Sequence, residues 1–293
     1  MKEVKHAVIL MAGKGTRFLP ATKGVAKEMF PVGNIPAVMF QLQECLDSGI
    51  KEVVIVLSKQ KKDIIKFFQR DKSLEQVLKV AGKESLLDSW RNIIDNMNIH
   101  FTFQGKMIGS GGAIMTTKKY VKDNPFVILF GDDVCVPQNG SMPAVKELIE
   151  VYKRTGKYVL GALKVSDDVV SRYGVIKPGV QVEDKVVEVK GFVEKPKKGE
   201  QPSNLASLAR YLVLPGIYDN IMKLTPDAKG EYLFPEAIGM EINGKGVVAC
   251  EFGAKYYDLG NKLEFIKCSI ELGLKDEEIR ADLLTYLKDF SKQ

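Results

Sequence analysis

The chain has 293 residues, 45% of them hydrophobic and 27% charged, and its 43 Lys and Arg against 37 Asp and Glu leave a net charge of +6. These proportions belong to a globular protein long enough for one large α/β domain or two smaller ones. They exclude collagen-like and low-complexity chains, and no apolar run is long enough to span a bilayer.

The N-terminal Met1-Lys2-Glu3-Val4-Lys5 leads straight into a strand-like run, so no secretory leader is expected. That run, His6–Met11 (HAVILM), stops at glycines as buried parallel strands do. Helical spacing over 36–46, closed by Gly49, and the β-branched run Glu52–Leu57 then complete a predicted βαβ unit. Residues 61–97 read as two or three charged helices, with Trp90, Ile93 and Ile94 on one face. A strand over 100–103, a helix over 112–121 and a very apolar strand at Phe126–Phe130 (FVILF) follow. This βα alternation predicts a Rossmann-like, doubly wound sheet. Beyond Tyr158 the strand-like runs Tyr158–Lys164, 186–193 and Leu205–Val213 cluster with fewer helices between them, and the chain from Asn261 onward reads as helical with an apolar stripe at Leu263, Ile266, Ile270 and Leu274. No linker-like stretch separates these regions. The expectation is one domain, with 1–155 mainly nucleotide-binding, a smaller β-rich part over 156–260 and a helical tail over 261–293.

The four cysteines (Cys45, Cys135, Cys250, Cys268) are widely spaced and form no C-x-x-C pair, so buried free thiols and a cytoplasmic location are expected. Acids interleave with the basic residues throughout, which makes a small polyanion a better partner than nucleic acid, and no membrane partner is expected.

Directly after the first strand comes Ala12-Gly13-Lys14-Gly15-Thr16-Arg17-Phe18-Leu19-Pro20. Glycines there let backbone N–H groups approach phosphates, and Lys14 and Arg17 add charge. Phe18 occupies the place of a dinucleotide fingerprint's third glycine, and no G-x-x-x-x-G-K-[ST] occurs, so this is neither a Rossmann dinucleotide site nor a P-loop. Lys27, in Ala26-Lys27-Glu28-Met29-Phe30-Pro31, is close enough in sequence to reach the same phosphates, although a lone lysine is usually just solvated.

Together with Phe103-Gln104, Gly109–Ala113, Phe130–Asp133 (FGDD), Arg172–Ile176 (RYGVI), Val193–Pro196 (VEKP), Arg210-Tyr211, Gly230-Glu231 and Tyr257–Lys262 (YDLGNK), these motifs fall in the order found in sugar nucleotidyltransferases. The chain resembles that family over nearly its whole length, and within it the bacterial UTP–glucose-1-phosphate uridylyltransferases. The resemblance implies a mixed α/β fold of the nucleotide-diphospho-sugar transferase type and attack of glucose 1-phosphate on the α-phosphorus of UTP. UDP-glucose and pyrophosphate would be the products. It further implies that Ala12, Gly13, Gly15 and Thr16 cradle the triphosphate, that Arg17 and Lys27 act on the reacting phosphates, and that Lys195 holds the sugar phosphate. Gln104 and Gly111 would read the uracil edge, and Gly174 and Glu194 the sugar. Asp132 and Asp258 would hold Mg²⁺, and association into a homo-oligomer is expected.

Simpler readings stand beside these: Asp132 as a turn residue, Asp258 as the cap of the following helix, and Glu194-Lys195-Pro196 as a strand end. The family's G-L-G-H-A is here Gly109-Ser110-Gly111-Gly112-Ala113, the preceding lysine is Ile108, and a proline is replaced by Ala26. Gly33-Asn34-Ile35-Pro36, Tyr232–Glu236 and Leu259 also depart from the pattern. These changes bear on which sugar and base are used and remove no expected phosphate or metal ligand. Another nucleotide or hexose, or a non-catalytic regulatory paralogue, are the competing readings.

Overall fold

In the computed structural model, which describes residues 1–292, HAVILM forms strand β1 (His6–Met11) and its side chains divide by parity. Ala7, Ile9 and Met11 enter one core layer and Val8 and Leu10 the other, so both faces of the strand are covered. A short hairpin, β2 (Pro31–Val32) with β3 (Ile35–Pro36), leads into helix α1 (Ala37–Asp47). Strand β4 (Glu52–Leu57) repeats the parity of β1, and α2 (Lys72–Val80), α3 (Asp88–Asn96) and β5 (Asn98–Phe103) follow. Next come α4 (Gly109–Met115), α5 (Lys118–Val121), β6 (Phe126–Phe130), β7 (Asp133–Pro137) and α6 (Ala144–Thr155). The rest of the chain supplies β8 (Tyr158–Lys164), β9 (Gly174–Glu183), β10 (Val186–Glu194), β11 (Leu205–Val213), α7 (Ile217–Lys223), α8 (Phe234–Gly239), β12 (Val247–Glu251), β13 (Ala254–Asp258), α9 (Lys262–Gly273) and α10 (Arg280–Phe290).

Nine strands form one mixed sheet in the order β5-β4-β1-β6-β11-β8-β12-β10-β9. β1 runs parallel to β4 on one side and to β6 on the other, and β11 joins β6 antiparallel, so one sheet continues into the second part of the chain. Helices α1, α3 and α6 pack on one face, and α4, α7 and α8 on the other. The chain leaves β1 towards β4 and β5, then crosses back to β6. The strand order therefore reverses between β1 and β6, and their carboxyl ends open onto the crevice where α/β proteins bind ligands.

Some elements differ from expectation. β9 was not predicted because Gly174, Pro178 and Gly179 break its pattern; its first residues, Gly174 and Val175, pair with both β10 and β11, and beyond them it runs along the sheet edge, its register against β10 shifting around Pro178. β7 and β13 form a separate two-stranded ribbon. The predicted helix over 112–121 is split into α4 and α5, with Thr116 and Thr117 hydroxyls bonding back to the carbonyls of Ala113 and Ile114 at the break. The stripe expected on α9 is misplaced: Leu263 and Ile266 are 58% and 54% exposed, and Phe265, Cys268 and Leu272 face the third, smaller core cluster. All four cysteines are buried free thiols. Among the described residues no helix is long and apolar enough to cross a membrane.

Candidate active site

The loop leaving β1 supplies the first wall of the site. Gly15 has φ +66°, a left-handed conformation that favours glycine, and its carbonyl accepts a 2.9 Å bond from the Thr22 hydroxyl. A Cβ added at Gly13 would meet nothing, so that glycine faces open space rather than packed protein. Thr16 and Arg17 then form a short 3₁₀ turn. A second such turn, Lys27–Met29, brings the Lys27 side chain within 3.5 Å of the position a Gly15 Cβ would take, and the Lys27 ammonium pairs with Asp132 Oδ2.

Asp132 sits in the turn after β6 and Asp258 at the end of β13. The ribbon of β7 and β13 brings them together: Asp258 lies opposite Asp133, and the Leu259 amide donates to the Asp132 carbonyl at 2.8 Å. Asp258 Oδ1 accepts from the Gly260 amide at 2.8 Å, while Asp258 Oδ2 lies 3.3 Å from Arg17 Nη1. All three groups converge on Gly260, where a Cβ would come within 2.6 Å of Asp132 Oδ2, 2.7 Å of Arg17 Nη2 and 2.8 Å of Asp258 Oδ1. The cap of α9 is Asn261, whose side chain accepts from Leu263 and Glu264, so Asp258 does not perform that duty.

Asp133, by contrast, turns inward. Its carboxylate accepts from the Tyr256 hydroxyl at 2.6 Å, and burial first, then the charge of Asp132, pushes its pKa up. Its carbonyl accepts from Gln41 at 2.9 Å and Arg210 at 3.1 Å, which anchors the Asp132 turn to the interior. Beneath the turns lies a pair that the motifs did not single out, Glu28 with Lys61. Burial raises the carboxyl pKa of Glu28 and lowers the ammonium pKa of Lys61, while each opposes the other's shift. Glu28 was visible inside a motif; Lys61 stands in a run of charged residues and carries no sequence signal of burial.

On the sugar side, β9 and β10 set Gly174 opposite Glu194, and a Cβ at Gly174 would come within 2.9 Å of Glu194 Oε2. Lys195 holds an unusual φ of +46° for a side-chain-bearing residue, with its amide on the Tyr173 carbonyl and its ammonium 3.1 Å from Glu194. Arg17, Arg172, Tyr173, Lys195, Tyr256 and Asp258 line one cleft of about 600 Å³, so Arg17 and Lys195, which come from opposite halves of the chain, face a common space. Arg172, quoted in a motif but given no role there, is exposed on this cleft.

Gln104 and Gly111, the residues expected at the base, are both already engaged within the protein. Gln104 Nε2 donates to the Gly109 carbonyl at 2.9 Å, and the buried Gly111 amide donates to the Tyr232 carbonyl at 2.8 Å. The Gly111 N–H is therefore not offered to a ligand in this arrangement. A Cβ at Gly112 would run into the carbonyl of Met107, which explains why the family's histidine cannot stand there.

A glycine loop, three cationic side chains and two converging carboxylates at the switch point of an α/β sheet define a protein that handles phosphorylated nucleotides. The chain belongs to the nucleotidyl transferase family, whose model matches residues 6–273. It is 39% identical over 289 residues to the UTP–glucose-1-phosphate uridylyltransferase of Staphylococcus haemolyticus, covering 99% of both chains. It is 40% identical over 288 residues to that of Staphylococcus epidermidis, covering 98% of this chain and 99% of the relative. A crystal structure of UDP-glucose pyrophosphorylase complexed with UDP-glucose superposes with TM-score 0.85 at 30% identity, over 93% of this chain and 100% of that one. UTP-bound UGPase from Acinetobacter baumannii does so with TM-score 0.88 at 28% identity, over 97% and 98%.

Proposed function

We propose that this chain transfers the uridylyl group of UTP to glucose 1-phosphate, releasing pyrophosphate. The observation that carries the reading is the convergence of Arg17, Asp132 and Asp258 on Gly260, with Lys27 joined to Asp132. Full-length relatives with that activity support it. A phosphate oxygen of glucose 1-phosphate forms the new bond to the α-phosphorus, and the bond from that phosphorus to the bridging oxygen of the β-phosphate breaks. No protein nucleophile is needed, so the chain's work is positioning and charge neutralisation.

In this reading the loop from Ala12 to Thr16 holds the triphosphate, and Lys27 faces the α-phosphate. Arg17 meets the charge that grows on departing pyrophosphate. Lys195, held by its backbone beside Glu194, meets the sugar phosphate, and Glu194 accepts from sugar hydroxyls across Gly174. Gln104 reads the base. Residues 1–155 then serve mainly the nucleotide and 156–260 mainly the sugar. Asp132 and Asp258 suit Mg²⁺: both are hard oxygen donors, and both approach one point beside Gly260. When bound there, Mg²⁺ would neutralise phosphate charge that three cationic side chains leave uncancelled. A cytoplasmic location fits the four free thiols. Homo-oligomerisation belongs to the same reading and is checked by analytical ultracentrifugation.

The test is a matrix of nucleoside triphosphates against sugar 1-phosphates with Mg²⁺, followed by pyrophosphate release. UTP with glucose 1-phosphate should give the highest kcat/KM. A higher value for dTTP or a hexosamine 1-phosphate would move the assignment to that pair, and tight UDP-glucose binding without any turnover would make the chain a regulatory paralogue.

A further inference from the structure

We propose that Lys61 is a positioning residue that locks the glycine loop to the Lys27–Asp132 pair. Its ammonium donates to the carbonyl of Met11, the last residue of β1, at 2.8 Å, and to the two oxygens of Glu28 at 2.9 and 2.8 Å. The Lys61 side chain is 11% exposed and that of Glu28 1%. An ammonium has three protons to donate, and these three acceptors use all of them. Lys61 borders a cavity with Lys14 and Lys23, but its donors are spent on protein, so it acts through its neighbours and not on a ligand.

What it joins is the argument. Met11 opens into the loop Ala12–Thr16, and Glu28 is the residue after Lys27. Gly131, just before Asp132, is flanked by both partners: a Cβ there would come within 2.5 Å of Met11 Cγ and 2.9 Å of Glu28 Cγ. Three segments that carry the phosphate-facing groups thus meet around one buried ion pair. Such a pair is an expensive way to hold a joint, because two charges must be desolvated, and apolar side chains of similar size often serve stability as well or better. Apolar contacts, however, have no direction, whereas three hydrogen bonds fix how the β1 exit sits against the Lys27 turn. In-line transfer between two polyanions depends on that geometry.

The proposal rests on the phosphoryl-transfer reading above, and the experiment separates the two. Wild-type protein is assayed over the full matrix of substrates, and the variants are compared at whichever pair it turns over best. Lys61→Met should lower kcat about 10²-fold, the loss expected of a displacement near 1 Å, while KM for the sugar 1-phosphate stays within about threefold. Lys61→Arg, which keeps the charge and the donors, should recover most of that loss. The double variant Lys61→Met with Glu28→Met should regain the melting temperature that Lys61→Met alone loses, yet remain slow. A double variant with kcat within about fivefold of wild type overturns the proposal, since Lys61 would then merely neutralise Glu28. So does a Lys61→Met enzyme with unchanged kcat. If Lys61→Met does not fold, the double variant decides. A best pair other than UTP with glucose 1-phosphate defeats the substrate assignment alone, and a wild type inactive with every pair defeats both.

Discussion

Gly260 is the residue around which the site closes, because only a hydrogen fits between Asp132, Asp258 and Arg17. Gly260→Ala should therefore lower kcat by at least about 10-fold, some 1.4 kcal/mol of transition-state stabilisation, by prising those three groups apart. Steady-state rates and a thermal melt check this; the melt should hardly move, and a kcat equal to wild type would mean the three groups do not act together. Asp132→Asn keeps the shape but removes a charge facing Lys27, and should cost roughly 10²-fold or more in kcat, about 3 kcal/mol, with little change in stability. Near wild-type kcat at saturating Mg²⁺ would leave Asp132 as a simple turn residue. That the aspartates, Arg17 and Lys27 would meet in one place was legible in the sequence, because the order of the motifs groups them. Lys61 was not, because a lysine among lysines reads as solvated and only the fold reveals the carbonyl and carboxylate it meets. Nor could the motif reveal that the Gly111 amide is spent on Tyr232, a bond between segments far apart in the chain.

At the scale of elements, the parallel strands were readable because FVILF, EVVIVL and HAVILM are buried on both faces and leave no ambiguity. The half-exposed edge was not. β9 hides its pattern behind Pro178 and two glycines, and α9 carries apolar residues on more than one face, so periodicity selected the wrong stripe. The entrance to α4 shows how an element answers to its neighbours: Gly112 is required by the Met107 carbonyl, and Ile108 forms a parallel bridge with Glu231. Gly112→His, which restores the family residue, should weaken UTP binding and lower the melting temperature, because the 104–108 loop must move; a variant that binds UTP like wild type would refute this. On α6, Glu147 accepts from the Gly253 amide at 2.9 Å, and burial raises its carboxyl pKa. A raised folded-state value means that the stability Glu147 contributes is full below the ordinary carboxylate range and is lost as pH rises through the folded value. Glu147→Gln has no charge to desolvate, so its melting temperature should gain on that of wild type as pH is raised from about 4 towards 7. A gap that is constant with pH would show that Glu147 does not titrate this way.

The whole molecule is stitched at one buried ion pair near the centre of the sheet. Arg210 of β11, 1% exposed, donates from Nε to both oxygens of Glu44 in α1 at 3.1 and 3.2 Å and from Nη2 to the Asp133 carbonyl. Glu44 Oε1 also accepts from the Val145 amide at the start of α6. Four elements from both halves of the chain, β11, α1, β7 and α6, thus share one charge pair, and the same contact holds the turn that presents Asp132. Arg210→Met leaves Glu44 buried with no countercharge, which costs about 3–5 kcal/mol. At roughly 2–4 °C per kcal/mol for a chain of this size, the melting temperature should fall by about 10 °C. Adding Glu44→Leu removes the stranded carboxylate, and the double variant should recover more than half of the loss. It should not recover all of it, because the Val145 amide then lacks its acceptor, a deficit of about 1–3 kcal/mol. Lys195→Ala supplies the contrast: its side chain is exposed, so its melting curve should match wild type while its KM for glucose 1-phosphate rises. Thermal melts of the four proteins, with glucose 1-phosphate titrations alongside, separate the group that holds the molecule together from the group that meets the substrate. An Arg210→Met protein melting within about 2 °C of wild type would mean that packing alone, and not this pair, joins the two halves of the sheet.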